Sequence, residues 1–149
     1  MTHEKLVEHG ENLKGFIAQV EKLDTNSMEI AISEGEWSPA SVLHHVADTQ
    51  LHFAIRYFNA LTIEKPALIR FDEDIYPELL NYKERSWETS LTLIKSLGSM
   101  IQIVLSPISN EQWERGSIHP ELGDITISAL IGKASNHLVA HTAQLTVAS

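Results

Sequence analysis

The sequence predicts an all-α protein, a four-helix bundle with a long crossover between helices 2 and 3. Three observations carry that expectation. Four segments place apolar residues at spacings of three and four. Strand-like alternation is nearly absent. Between Thr62 and Arg85 the periodicity fails, with Pro66 and Pro77 inside the stretch, and a connection that long in a compact domain crosses over or covers a site.

The first helix is expected from about Thr2 to Leu23, where Leu6, His9, Leu13, Phe16, Val20 and Leu23 form one stripe. Asp24-Thr25-Asn26-Ser27 ends it. Ser38 is a good N-cap for the second helix, and Pro39 follows at the first helical position, where its missing N–H is no loss. Val42, Val46, Thr49, Phe53 and Tyr57 then share a face as far as about Leu61. In the crossover, Pro77-Glu78-Leu79-Leu80 suits a short helix. The third helix runs from about Ser86 to Leu105, on Trp87, Leu91, Ile94, Leu97, Ile101 and Val104, and Pro107 stops it. Ser109 and Gln112 have capping-box spacing, and Ile108 with Trp113 has staple spacing, so a short helical turn is expected there. The fourth helix begins near Thr126, with Ile127, Leu130, Ile131, Ala134, Leu138 and Leu145 as its apolar face. Ile125-Thr126-Ile127-Ser128 alternates but is too short to build a sheet.

Composition narrows the function. The 149 residues fit a single domain, 1–149. A formal net charge of −9 opposes nucleic-acid binding. No apolar run approaches the roughly 20 residues of a membrane helix, and the N-terminus lacks a signal-peptide core, so a cytoplasmic protein acting on a small molecule is expected. There are no cysteines, which removes disulfides, thiolate nucleophiles and Cys-based metal sites. The eight histidines stand out, because imidazole is the usual ligand for zinc, copper, iron or nickel where thiolates are missing.

His137 and His141 lie four residues apart on the fourth helix, one turn above each other on one face, in line with Leu130, Ala134 and Gln144. The zinc-protease pattern is absent, since position 138 is Leu138. A lone HxxxH pair also arises as ordinary core or solvated histidines. On the second helix, His44 and His45 point about 100° apart. His45 shares the inward stripe with Val42 and Thr49 and is the better third ligand, with His52 in reserve. Three imidazoles suit a divalent metal and leave a position open for water, substrate or a thiolate.

Glu36-Trp37-Ser38-Pro39 followed by Leu43-His44-His45-Val46-Ala47-Asp48, then Ile55-Arg56-Tyr57, Ala60-Leu61-Thr62, Pro66, Asp72-Glu73, Arg115-Gly116, His119-Pro120 and His137-Leu138-Val139-Ala140-His141, resembles the DinB-like superfamily of metal-binding four-helix bundles. The branch it is most similar to includes metal-dependent hydrolases and bacillithiol S-transferases. By position, the resemblance implies His45, His137 and His141 as metal ligands, one divalent metal ion, zinc or nickel, and a homodimer. Two departures bear on substrate preference. Gln50 stands where some relatives carry another His, and Lys133-Ala134-Ser135-Asn136 is poorer in His than close relatives are.

Other residues have two readings each. Arg56, about three turns after His45, suits an anionic substrate group, or an ion pair with Asp72, Glu73 or Asp74. Asp48 suits a carboxylate that orients a ligand histidine, or a solvated helix residue. His119 suits the closing of one end of a pocket, or plain exposure. Trp37, Trp87 and Trp113 read as core and staple residues. No acidic general base is evident beside the three histidines, so catalytic residues stay unassigned and the balance tips toward transfer of a low-molecular-weight thiol, taken up as a cosubstrate, over hydrolysis. A non-catalytic metal- or ligand-binding stress protein is the rival from another class.

Overall fold

The computed structural model of the chain describes residues 3–148. Thr2, where the sequence suggests that the first helix starts, lies outside them. Helix α1 is Glu4–Glu21 and α2 is Pro39–Thr62. The short α3, Tyr76–Leu79, precedes α4, Trp87–Leu105, and the single turn α5, Asn110–Trp113. Strands β1, Gly116–His119, and β2, Gly123–Thr126, lead into α6, Ile127–Thr146.

The capping residues read from the sequence perform as expected. The Ser38 hydroxyl accepts the Ser41 N–H at 3.2 Å, and the Ser109 and Gln112 side chains close a capping box; Thr126, expected only as the approximate start of the fourth long helix, turns out to cap α6. The predicted stripes face inward, with Trp87, Leu91 and Val104 on α4 only partly buried. Leu6, Phe16, Val42, Val46, Ile94, Leu105, Leu130, Ile131, Leu138 and Leu145 are all shut from solvent. Among the described residues, no helix is long and apolar enough to cross a membrane.

α1 packs on α6 and α4, and α2 packs on α4 and α6. Consecutive helices α1 and α2 therefore lie across the bundle, which explains a feature the sequence does not announce: the link 22–38 between them is also long, because it must traverse the bundle end. α2 and α4, by contrast, are neighbours. Their crossover is far longer than the gap requires, and the surplus chain is laid against α2.

Besides contacts of Ile69 and Tyr76 with α2 side chains, three sets of bonds hold it there. At the C-terminal end of α2, the Arg115 guanidinium donates to the carbonyls of Ala60 and Ile63, which the helix itself leaves unpaired. Leu68 N–H donates to the Ile118 carbonyl, and Ile118 N–H to the Pro66 carbonyl, both at 2.9 Å. The third set is a buried cluster. Arg85 forks onto Asp48 with bonds of 2.9 and 2.8 Å, and the Tyr82 hydroxyl donates to the same carboxylate at 2.8 Å.

The segment around Ile125 corrects the sequence expectation. β1 and β2 form an antiparallel hairpin, with Gly116 opposite Thr126 and His119 opposite Gly123. Four-residue strands are too short to be legible by alternation. Their stability is tertiary, from the bonds to the crossover and from Ser117 and Ile125 turned into the core. Gly123 supplies the left-handed φ of 70° that re-enters β2.

Removing one side of the Asp48 cluster leaves a guanidinium and a hydroxyl without their acceptor. Asp48→Ala is expected to lose about 2–4 kcal/mol of unfolding free energy, and Tyr82→Phe about 1 kcal/mol. Urea denaturation reads both, and a loss below about 0.5 kcal/mol for Asp48→Ala would show that the crossover is held elsewhere.

Candidate metal centre

His45 projects from α2 toward α6, where His137 and His141 stand one turn apart. The Nε2 atom of His137 lies 2.8 Å from Nε2 of His45 and 3.0 Å from Nε2 of His141. One nitrogen from each ring falls within 4.8 Å of the others, and among the described residues these three are the cluster able to hold a metal ion. Ring centroids are 4.3–4.8 Å apart and meet edge to face. His45 is only 2 % exposed, while His137 and His141 are half-buried at the mouth.

Burial keeps the rings neutral. It pushes His45 down to about 4, helped by the charge of His141, and His137 down to about 3, helped by His141 and His45. His141 is also lowered by burial, against its hydrogen bond to the Gln144 side-chain oxygen and the charge of Glu73. His141 Nδ1 lies 2.7 Å from the Gln144 side-chain oxygen, an acceptor, so the His141 proton sits on Nδ1 and its Nε2 lone pair faces the other rings. His137 Nδ1 is buried without a protein partner. A single proton on His137 Nε2 cannot satisfy two neighbouring nitrogens well. Three neutral imidazoles that turn one nitrogen each to a common point, with no arrangement of protons that pairs them all, form a donor set suited to a borderline divalent cation.

The acidic residue missing from the sequence reading comes from the crossover. Glu73 Oε2 is 3.4 Å from His45 Nε2, on a side chain 54 % exposed. Glu73 thus does not pair with Arg56, and the triad does have a carboxylate beside it. Trp37 packs on the core as expected, and also meets His45 edge-on at 5.1 Å.

The remaining candidates fall elsewhere. Asp48 is corrected: its oxygens are taken by Arg85 and Tyr82, so it is neither an orienting acceptor for a ligand histidine nor a solvated residue. Gln144 does the orienting, and its position three residues after His141 on the same face was the available signal. His44 turns to α4 and meets the Ser90 hydroxyl at 2.7 Å. His52 stacks on Phe71 and meets the Tyr76 hydroxyl at 2.8 Å, away from the triad. Arg56 and His119 line one small cavity together, apart from the three histidines.

The lowered pKa values have a consequence for the metal-free protein. Unfolded histidines take protons near pH 6.5. Folded His44 and His45 hold out to about 4 and His137 to about 3. Between those limits the unfolded chain binds more protons, so stability falls as pH falls, by up to about 1.4 kcal/mol per pH unit for each such ring. Chelator-treated protein should therefore lose denaturant resistance steeply from pH 6.5 toward pH 4 and change little from 6.5 to 8. A flat profile between pH 7 and 5 would contradict the buried, neutral triad.

Known proteins share this arrangement of sequence and fold. The family model described as the DinB superfamily matches residues 10–145. YfiT of Bacillus subtilis, named for a proposed metal-dependent hydrolase activity, is 30% identical over 130 residues, covering 85% of this chain and 73% of its own. A protein of Oceanobacillus iheyensis with the same style of name is 33% identical over 124 residues, covering 83% and 72%. The solved structure of YfiT, described as having an unusual four-helix bundle topology, superposes with a TM-score of 0.81 at 27% identity, over 96% of this chain and 84% of that one. A mycothiol-dependent maleylpyruvate isomerase shares the fold with a TM-score of 0.79 at 16% identity, over 95% of this chain and 59% of that one. With the family model spanning nearly the whole chain, this four-helix protein belongs to the DinB superfamily.

Proposed function

We propose that this DinB-superfamily protein is a metal-dependent enzyme that transfers a low-molecular-weight thiol to an electrophilic small molecule. His45, His137 and His141 hold one divalent ion, zinc or nickel. The observation that carries the reading is the convergence of three neutral Nε2 atoms, with the His141 proton held on Nδ1 by Gln144. A divalent metal so held would supply Lewis acidity, lowering the pKa of a bound thiol or water.

The chain's own residues provide the rest. Glu73 is an exposed carboxylate beside His45, placed to accept the proton that the nucleophile gives up. Trp37 walls the triad on its α2 side and limits water there. Because the chain has no cysteine, a sulfur nucleophile must arrive as a cosubstrate. The fold shared with a mycothiol-dependent enzyme supports that choice.

Hydrolysis is the second reading, and the position of Glu73 favours it, since water needs a base more than a thiol does. A free thiol ionises near pH 8.5, so Lewis acidity alone nearly suffices to ionise it at neutral pH. Glu73→Gln should therefore cost a thiol transferase less than about tenfold in kcat/KM, and a hydrolase about 10²–10⁴-fold.

Elemental mass spectrometry of chelator-free protein is expected to find about one zinc or nickel per chain. His141→Ala should lose it while keeping the helical circular dichroism. Unchanged metal stoichiometry in His141→Ala would overturn the ligand assignment, and a metal-loaded protein inert with every thiol–electrophile pair and every ester or amide would leave a binding protein.

A further inference from the structure

Arg56 is 8 % exposed, yet no carboxylate in the described residues lies within ion-pair distance of it. One of its terminal nitrogens donates to the Ile69 carbonyl at 3.0 Å, and its Nε is buried with no partner. Phe53 and Phe71 lie against the guanidinium at 5.7 and 5.6 Å. Ring contacts and one carbonyl do not balance a buried cation, whose desolvation costs several kcal/mol.

A cavity of about 190 Å³ adjoins it, lined by Arg56, Arg70, Phe71, His119, Pro120 and Glu121. Arg70 is offset by Glu121 at 3.6 Å, which leaves one net positive charge on the lining, that of Arg56. His119 Nδ1 accepts the backbone N–H groups of Glu121 and Leu122 at 3.1 and 3.2 Å. Its ring proton is thereby placed on Nε2, as a donor.

We propose that Arg56, with His119 Nε2, forms a carboxylate-binding subsite, and that the substrate or cosubstrate of the metal site carries a carboxylate at the end remote from its reacting atom. The second clause rests on the metal-enzyme reading above, and the first stands without it. A single net positive charge matches one carboxylate rather than a doubly charged phosphate, and a planar guanidinium edge matches a planar carboxylate. The crossover joins the two sites. Its Ile69 carbonyl sits at Arg56, its Phe71 ring stacks on His52 at 4.0 Å, and its Glu73 carboxylate reaches His45. Arg56 follows His45 by eleven residues, about 16 Å of helix axis, so a ligand that engages both is extended along α2.

The test is a titration of acetate into full-length ¹⁵N-labelled protein, metal-free and zinc-loaded, followed by amide chemical shifts. Saturable shifts at Ile69, Phe71, Glu121 and Leu122 are expected in both forms. Arg56→Met should weaken the acetate Kd at least tenfold, His119→Ala, on the hairpin, about threefold, and inorganic phosphate should bind more weakly than acetate. Should Arg56→Met fail to fold, His119→Ala supplies the same decision. Absent shifts, shifts confined to the neighbours of the three histidines in the zinc-loaded form, tighter binding of phosphate, or unchanged affinity in the variants would overturn the subsite. Metal content of the same samples separates the two claims: a wild-type chain that takes no zinc counts against the enzyme reading, while acetate shifts in metal-free protein still report on Arg56.

Discussion

The contact of α2 with α6 is the constraint from which the rest follows, because it carries three imidazoles to one point between helices. Val42 and Val46 on one side and Ala134 and Leu138 on the other are wholly buried, so the backbones flanking the histidines have little freedom to separate. Within that frame His45 is shut from water, His137 and His141 are partly so, and burial favours the neutral form of all three. A core built for stability alone would place apolar side chains at those positions. Retaining imidazoles there, with one tautomer fixed by Gln144, trades packing for a prearranged set of donors.

The crossover is the second layer of the same construction. It joins helices that are already neighbours, so its length is not a topological need. Arg115 fastens its beginning, the Ile118 bridge fastens the part near Leu68, and Asp48 fastens its end through Tyr82 and Arg85. Between the fastenings, Ile69 to Glu73 are mostly exposed chain that passes along α2. Exposed to solvent on one side and touching Arg56, His52 and His45 on the other, that stretch forms a wall shared by the cavity and the three histidines.

What the sequence discloses and what it hides divide along a physical line. The helices, the caps at Ser38 and Ser109, the common face of His137 and His141 and the inward direction of His45 follow from local periodicity, which tertiary packing here reinforces. Glu73 was hidden because it arrives on a stretch without periodicity, where no rule relates position to direction. The partner of Asp48 was hidden because Arg85 lies 37 residues away across the crossover. The hairpin was hidden because its short strands depend on contacts with Pro66 and Leu68. Arg56 and His119 each carried a sequence argument, yet nothing in a sequence shows that two residues so far apart line one cavity.

Two charged residues on α2, Asp48 and Arg56, show how the structure distinguishes a strut from a site. They are separated by two helical turns and are buried to a similar extent. Asp48 receives a two-pronged guanidinium and a hydroxyl, a complete set for a carboxylate, and its consequence is mechanical. Arg56 receives one carbonyl and two ring contacts, and keeps an unpartnered nitrogen beside a cavity. The same helix thus satisfies one buried charge fully and leaves the other short by one anion. Since an unbalanced buried charge is destabilising wherever it serves no purpose, the asymmetry between these neighbours argues that the missing partner of Arg56 is supplied from outside the chain.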